Sequence, residues 1–187
     1  MKELVKKFYG EGIFTLANVL NDVECEMFID TAEREGFTLA TINMGREGHQ
    51  INTEWRNNDR VNIQDPEIAE LIWKRVQPFI PATMAGRTVQ GLDDTFRFYR
   101  YEPGQQFDWH VDGATKKPDG SRSLLTFIIY LNDGYEGGDT AFENCSVFGK
   151  EGECLIFPHH LRHRGSLVTK DVKYVIRTDV MYGPLNQ

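Results

Sequence analysis

The stretch SLLTFIIYLN, residues 123–132, decides the fold of this chain. It is a continuous run of β-branched and aromatic side chains, too short for a typical helix, and it predicts a strand that is buried on both faces. Similar short segments flank it, namely FRFYRY at 96–101, CLIF at 154–157 and KYVIRTDVMY at 173–182. Short strands at this spacing, separated by turn residues, predict a β-sandwich or jelly roll.

The N-terminal third carries helix signals instead. Asn21 and Glu24 form a capping-box pattern, and Gly36 provides a stop for that helix. Asp65 followed by Pro66 predicts the start of a second helix. We therefore expect a mainly β fold with supporting helices (α+β).

Two details of this N-terminal region can be tested directly. In the first helix, we expect Val23, Met27, Phe28 and Ala32 to form the buried face. Residues 44–62 are polar and rich in turn formers, which predicts a loop, and such a loop is a candidate lid that faces substrate.

The whole chain is expected to form one domain over residues 1–187. Its 40% hydrophobic and 12% aromatic content is enough for a packed core at this length. Within the domain, residues 1–91 would supply helical support and a polar loop, and residues 92–187 the jelly-roll core.

Charge and composition exclude several classes of function. The net charge is −7 and no run of Lys or Arg follows the chain, which disfavours nucleic-acid binding. No apolar run is long enough to cross a membrane, and the first residues lack the apolar stretch of a signal peptide. The three cysteines form no C-x-x-C pair, so reduced thiols and a cytoplasmic location are expected.

The segment His110-Val111-Asp112 indicates a metal site. Strand side chains alternate faces, so His110 and Asp112 point the same way, about 6.6 Å apart along the backbone. A distant histidine would complete two nitrogens and one oxygen on one side of a metal, which suits non-haem Fe(II) better than structural zinc. His163 is the preferred third ligand, with His159 and His160 as competitors.

Cations on the last predicted strand indicate an anion site. Lys173, Val175 and Arg177 share one face, and two buried cations require something negative to meet them. The alternative is an edge strand whose charges are solvated. Tyr130 is a further candidate, because a buried tyrosine hydroxyl needs a polar partner such as a bound carboxylate. Tyr101 shares a strand face with Arg97 and Tyr99 and could line the same cavity.

Four sequence elements, in order, resemble those of the prolyl 4-hydroxylase-like Fe(II)/2-oxoglutarate dioxygenases. Y-E-P-G at 101–104 with H-V-D at 110–112 is similar to the Y-x-P-G and H-x-D elements of that family. Y-L-N at 130–132 with G-G-D-T at 137–140 resembles Y-L-N and G-G-E-T, with Asp139 in place of Glu. H-R-G-S-L-V at 163–168, with Lys173 ten residues after His163, resembles H-x-G-x-x-V and its lysine, although Asp171 or Val172 stands where the family often has Gly.

This resemblance implies a double-stranded β-helix in which His110, Asp112 and His163 bind Fe(II). The co-substrates would be O2 and 2-oxoglutarate, whose keto-acid end would chelate the iron. In prolyl 4-hydroxylases the far carboxylate is held at the position of Lys173. Arg177 begins a sequence similar to the R-x-S motif of other 2-oxoglutarate enzymes, and the bidentate geometry of a guanidinium favours Arg177. Tyr130 would help to hold the same carboxylate, and Tyr101 would line the region near the metal.

The implied activity is hydroxylation of a C–H bond coupled to decarboxylation of 2-oxoglutarate. The substrate would be a prolyl residue in a peptide or protein, or a small amino-acid-like metabolite. Arg56, Asn57, Asn58 and Arg60 are candidate contacts for it, unless they are solvated. Two alternatives stay open: a cupin-like metalloenzyme that does not use 2-oxoglutarate, and a non-catalytic jelly-roll binding module.

Overall fold

The computed structural model describes residues 2–43 and 49–184. The helices are α1 (Asp22–Glu35), α2 (Pro66–Val76) and a short 3-10 helix (Gln77–Phe79). The strands are β1 (Val5–Gly10), β2 (Ile13–Ala17), β3 (Thr38–Leu39), β4 (Ile42–Asn43), β5 (His49–Gln50), β6 (Asp59–Gln64), β7 (Thr83–Met84), β8 (Arg87–Leu92), β9 (Thr95–Tyr101), β10 (Phe107–His110), β11 (Arg122–Tyr130), β12 (Glu136–Gly137), β13 (Thr140–Phe142), β14 (Ser146–Val147), β15 (Cys154–Pro158), β16 (His163–Gly165), β17 (Val168–Lys170) and β18 (Lys173–Pro184).

Two antiparallel sheets form the jelly roll. The larger has the order β1-β2-β15-β11-β18-β9-β6-β3, with β8 pairing to β18 and β7 to β8. The smaller has the order β10-β16-β13-β14. Two short pairs, β12 with β17 and β4 with β5, form separate two-stranded sheets. The predicted mainly β architecture is confirmed.

Strand β11 lies at the centre of the larger sheet and is buried on both faces. Phe127 and Ile129 are fully buried in a hydrophobic cluster that also contains residues of both helices. The next residue, Tyr130, points to the opposite face and joins a second cluster, which contains Phe157 of the larger sheet and Phe142 of the smaller sheet. The run of apolar residues in β11 is continuous because one face packs on helices and the other on a second sheet.

Both helices begin where the sequence predicts. The Asn21 side chain accepts a hydrogen bond from the Glu24 backbone N–H at 3.0 Å, and the Glu24 carboxylate accepts one from Asn21 N–H at 2.9 Å. Asp65 accepts from the backbone N–H groups of Glu67 and Ile68. Each cap satisfies amides that have no partner within the helix, and contributes about 1 kcal/mol.

The predicted buried face of α1 is wrong in two positions. Val23 and Met27 are 75% and 52% exposed, whereas Phe28 and Ala32 are buried together with Cys25. At 3.6 residues per turn, Val23 and Met27 lie on the opposite side of the helix from Cys25 and Ala32. The small, buried Cys25 therefore completes the packing stripe, and the two larger apolar side chains face outward.

The predicted loop at 44–62 is also partly wrong. Residues 44–48 lie outside the described residues, but β6 begins at Asp59 and pairs with β9 over its whole length. This pairing extends the larger sheet and places Arg60 directly opposite Tyr99. Part of the polar segment is thus a strand whose partner the local sequence does not reveal.

Cys25, Cys145 and Cys154 are free thiols. In the described part of the chain, no helix has the length and apolar character needed to span a membrane.

Close packing against the buried Tyr130 ring makes Gly149 sensitive to substitution. A Cβ at Gly149 would lie 2.0 Å from Cδ2 of Tyr130, whereas a Cβ at Gly113 would meet no atom within 4 Å. We expect Gly149→Ala to destabilise the fold by about 2 kcal/mol through overpacking, lowering Tm by roughly 4–8 °C. Thermal unfolding measures this, with Gly113→Ala as the matched control. Equal Tm values for the two variants would contradict the predicted clash.

Candidate metal centre and co-substrate pocket

His110, Asp112 and His163 converge at one point between the two sheets. His110 ends β10, His163 begins β16, and the two residues are direct cross-strand partners. One ligand atom from each of the three residues lies within 4.8 Å of the others. His110 Nε2 is 3.8 Å from Asp112 Oδ1, and His163 Nε2 is 3.5 Å from Asp112 Oδ2. The structure therefore brings together the three residues that the sequence indicates.

Both imidazoles present Nε2 to this point. His110 Nδ1 is 2.7 Å from the Asp108 carbonyl oxygen, and His163 Nδ1 is 3.0 Å from that of Leu161. A carbonyl oxygen only accepts, so each Nδ1 carries the proton and each Nε2 is left free for a metal. Burial lowers the pKa of both histidines. For His110 the neighbouring His163 adds to this effect, and the pKa of His110 falls to about 3. The rings are neutral, as metal binding requires.

Asp112 supplies a carboxylate. Burial by itself raises the pKa of Asp112, but the Arg177 guanidinium, the two histidines and the Thr126 hydroxyl together hold it below its ordinary value. Thr126 donates to Asp112 Oδ2 at 2.5 Å, and the Asp112 backbone N–H donates to the His159 carbonyl at 3.1 Å. The carboxylate is thus ionised and fixed in orientation.

His159 supports the site and is not placed as a ligand. Its Nδ1 is 2.8 Å from Thr126 Oγ1, and its Nε2 is 2.8 Å from Ser123 Oγ. Because Thr126 donates to Asp112, it accepts from His159 Nδ1–H, which leaves Nε2 as the acceptor for Ser123. Both nitrogens of His159 are therefore engaged. His160, the other competitor, is exposed.

The contact between Thr126 and Asp112 leads to a prediction about metal affinity. Thr126→Val keeps the shape of the side chain but removes the hydrogen bond that orients the carboxylate. We expect the affinity for Fe(II) or Mn(II) to fall by about 10–100-fold, the usual effect of losing such an outer partner. Metal titration measures this, with Thr31→Val on helix α1 as the control. Unchanged affinity in Thr126→Val would show that Asp112 needs no such support.

Lys173, the first residue of β18, lines the same cavity as the triad. It is 3% exposed and lies beside Tyr101, its cross-strand partner. Its Nζ donates to the Gly138 carbonyl at 2.5 Å and lies 5.4 Å from the ring centroids of Tyr101 and Tyr130. Burial lowers the pKa of Lys173 to about 8, opposed by Asp139. No carboxylate of the described residues lies within 4.0 Å of this amine.

Arg177 shares the cavity but already has anionic partners. Its Nη2 is 3.1 Å from Asp112 Oδ1 and 3.2 Å from Asp179 Oδ1. Strand β18, which carries it, is flanked by β11 and β9, so the alternative of a solvated edge strand is wrong. The two cations predicted to face inward do so, in different electrostatic surroundings.

The sequence predicts that Tyr130 contacts the co-substrate, but it is Thr140, and not Tyr130, that lines the cavity. Tyr130 is fully buried, and its hydroxyl is 2.8 Å from Thr140 Oγ1. Thr140 and Tyr101 both line the cavity together with Lys173 and the metal triad. Sequence reasoning overlooked Thr140, although it is the last residue of the G-G-D-T segment.

Comparison with known proteins agrees with this geometry. The sequence profile described as the 2OG-Fe(II) oxygenase superfamily matches residues 96–178. The chain is 28% identical over 147 residues to prolyl 4-hydroxylase 13 of Arabidopsis thaliana, covering 72% of this chain and 48% of the relative. It is 28% identical over 145 residues to a PKHD-type hydroxylase of Thioalkalivibrio sulfidiphilus, covering 71% of this chain and 62% of the relative.

Solved structures share the fold. The viral collagen prolyl hydroxylase of Paramecium Bursaria Chlorella virus-1, in its 2OG complex, superposes with a TM-score of 0.65 at 20% identity, covering 93% of this chain and 97% of that one. A prolyl hydroxylase of Trichoplax adhaerens, in complex with a hypoxia inducible factor peptide fragment, gives a TM-score of 0.68 at 17% identity, covering 91% and 83%. At these identities the likeness concerns the fold.

The chain spans about half the length of the first of these curated relatives and less than two thirds of the second. The matched segment includes all three convergent ligands and both inward cations. By its motifs, its fold and this match, the chain is similar to the 2OG-Fe(II) oxygenase superfamily, and in particular to prolyl 4-hydroxylases and PKHD-type hydroxylases.

Proposed function

We propose that this protein is an Fe(II)- and 2-oxoglutarate-dependent hydroxylase. One observation carries the proposal: a His-Asp-His triad and a buried lysine without an anionic partner among the described residues line a single cavity. The triad offers a metal two neutral nitrogens and a carboxylate on one side. The lysine offers a charge to the distant end of a dicarboxylic acid.

The donor set fits Fe(II). Two imidazoles and one carboxylate leave coordination positions open, whereas a structural zinc site uses four closed ligands. When bound, iron(II) and 2-oxoglutarate would supply the oxidising power: with O2, the oxo acid yields succinate and CO2, and one oxygen atom enters a substrate C–H bond as a hydroxyl group. The protein's own part is to hold the metal, orient both organic molecules and exclude water.

Lys173 is the better anchor for the far carboxylate of 2-oxoglutarate. Arg177 follows Lys173 by four residues on β18 and pairs with Asp112, so it lies beside the metal triad. Lys173 is about 13 Å further along the strand, where the far end of a chelating diacid would point. Its amine has donors to spare, and Thr140 and Tyr101 lie on the same cavity wall. Arg177 would instead keep Asp112 ionised and oriented.

The prime substrate follows from the relatives only in outline. Two similar proteins are named prolyl 4-hydroxylase, which supports a prolyl residue of a peptide or protein as the substrate. A small amino-acid-like metabolite is the second candidate. The cytoplasmic location stays a prediction.

Turnover tests the proposal. Purified protein with Fe(II), 2-oxoglutarate and air should release succinate, and mass spectrometry of candidate substrates should show a 2-oxoglutarate-dependent gain of one oxygen. In the absence of air, 2-oxoglutarate added to the iron(II) protein should produce a weak visible charge-transfer band. An iron(II) protein that shows neither the band nor succinate would contradict the proposal.

The two alternatives give different results in the same experiments. A cupin-like metalloenzyme would bind iron but not 2-oxoglutarate, so the visible band would be absent. A non-catalytic module would normally have lost a metal ligand. Here all three ligands and the cavity lysine are in place, which favours the hydroxylase.

A further inference from the structure

A cluster of four arginines, Arg56, Arg60, Arg97 and Arg177, surrounds Tyr99, a residue that lines the cavity of the metal triad. Arg60 on β6 is the cross-strand partner of Tyr99, and Arg97 on β9 is the partner of Arg177 on β18. Arg56 reaches the same place from the segment that precedes β6, with its guanidinium 4.6 Å from the Tyr99 ring centroid. In a chain of net charge −7, this concentration of positive charge calls for a physical explanation.

Arg56 is deeply buried and has no carboxylate within 4.0 Å among the described residues. It is 4% exposed, and its guanidinium also lies 4.2 Å from the Phe107 ring centroid. Its Nε donates to Asn58 Oδ1 at 2.8 Å, and Asn58 is itself fully buried. Its Nη2 is buried and has no acceptor in the described residues. The alternative that Arg56 and Asn58 are solvated is therefore wrong.

The cluster carries more positive than negative charge. Asp112 and Asp179 are its carboxylates, and both pair with Arg177, while Arg97 approaches Asp179 at 3.5 Å. Arg60 donates to the neutral hydroxyl of Thr41 at 3.1 Å. Two further buried N–H groups, Arg97 Nη1 and Arg177 Nε, have no hydrogen-bond acceptor in the described part of the chain. Buried donors on cations are costly unless an anion meets them.

The electrostatics of two neighbours agree with an excess of positive charge. Burial, together with Arg56, Arg97 and Arg177, lowers the pKa of Arg60, and only Tyr99 opposes this. Burial would raise the pKa of Tyr99, yet Arg56, Arg177 and Arg97 lower it below its ordinary value. Both shifts indicate a place where a negative charge is stabilised.

This place lies beside the metal and away from Lys173. Phe107 stacks on the His110 ring at 3.6 Å, and the same phenyl ring contacts the Arg56 guanidinium. Arg56 is thus separated from a metal ligand by one aromatic ring. Along β9, Arg97 is four residues from Tyr101, the partner of Lys173, which is about 13 Å in a strand. The arginine cluster and the lysine can hold two different anions.

We infer that the prime substrate carries an oxyanion, most simply a carboxylate, which Arg56 and Arg97 bind so that a neighbouring C–H bond faces the metal. This inference rests on the proposed function and names the class of its substrate. The planar fork of a guanidinium matches a carboxylate with two parallel hydrogen bonds. A substrate that must offer a free carboxylate is a free amino-acid-like molecule or the C-terminal residue of a peptide. A prolyl residue inside a chain has no such group and is therefore disfavoured.

Binding, measured without turnover, tests the inference. Protein loaded with Fe(II) and 2-oxoglutarate in the absence of air is mixed with the L-amino acids, and separately with their carboxamides, and ligand-observed NMR reports which molecules bind. Two proline-containing peptides distinguish the source of the carboxylate: one ends in free proline, and the other has the same sequence with an amidated end. We expect that molecules with a free carboxylate bind, and that neither the carboxamides nor the amidated peptide does.

Variants identify the residues. Arg56→Gln should weaken the acid that binds best by at least tenfold, and Arg97→Gln, at a more exposed position, provides a second variant in case the first does not fold. Arg34→Gln on helix α1 removes the same charge from an exposed site and should have no effect. The affinity for 2-oxoglutarate should be unchanged in all three, which also verifies their folding.

The outcomes are separable. Carboxamides that bind as well as acids, binding that persists in both Arg56→Gln and Arg97→Gln, or the absence of binding by every acid would each overturn the inference. If the wild-type protein takes up no 2-oxoglutarate, the proposed function itself fails. If it takes up 2-oxoglutarate but shows no preference for acids, only the substrate class is wrong.

Discussion

His163→Ala is expected to lower 2-oxoglutarate-dependent succinate formation below detection and to abolish tight binding of Fe(II). The loss should exceed the roughly 10–100-fold effect of an outer partner, because the substitution removes one of only three protein ligands. His110→Ala should behave in the same way. Metal titration and succinate release measure both effects.

His160→Ala is the matched control for these variants. His160 is close to His163 in sequence but exposed, so its loss should leave metal binding and turnover unchanged. His163 packs against the Phe157 ring at 4.6 Å, so circular dichroism must show that His163→Ala is folded. A folded His163→Ala that retains full iron affinity would mean that another residue holds the metal.

Lys173→Met is expected to raise the dissociation constant of 2-oxoglutarate by about 100-fold or more, as a buried carboxylate loses its charge partner. Iron affinity should stay near that of the wild type, because Lys173 contacts none of the three ligands. The variant should be no less stable to heat, since burial already disfavours the charged amine. Anaerobic titration followed by the visible band measures the binding.

Arg177→Gln is the informative comparison. It removes the ion pair to Asp112, so we expect weaker metal binding with a smaller effect on 2-oxoglutarate once iron is saturating. The reverse pattern, with 2-oxoglutarate affinity lost in Arg177→Gln and kept in Lys173→Met, would make Arg177 the anchor.

The same lysine predicts a pH dependence. In the free protein the pKa of Lys173 is lowered to about 8, so above pH 8 the amine is neutral and must take up a proton to bind an anion. The dissociation constant of 2-oxoglutarate should therefore rise by about tenfold per pH unit above pH 8, and be flat just below it. Lys173→Arg, whose guanidinium stays charged, should remove this rise.

Local sequence rules determined a large part of this protein. The caps at Asn21 and Asp65 and the buried strand β11 depend on residues that are neighbours along the chain, and the structure has them as predicted. His110 and Asp112 converge as predicted, but β10 ends at His110, so the position of Asp112 depends on the segment after the strand and not on strand alternation. The motif around His163 identified the third ligand, although 51 residues separate it from Asp112.

Tertiary structure decided the rest, because the deciding contacts join residues that are distant in sequence. Asp112 lies close to Arg177 but not to Lys173, which is the reason for proposing different tasks for the two cations. Pairing of β6 with β9, and the packing of Arg56 on Tyr99 and Phe107, bring a segment that reads as a polar loop against two residues that line the site. Periodicity gives the direction of a side chain within its own strand or helix, whereas the partner that it meets there depends on how the two sheets pack together.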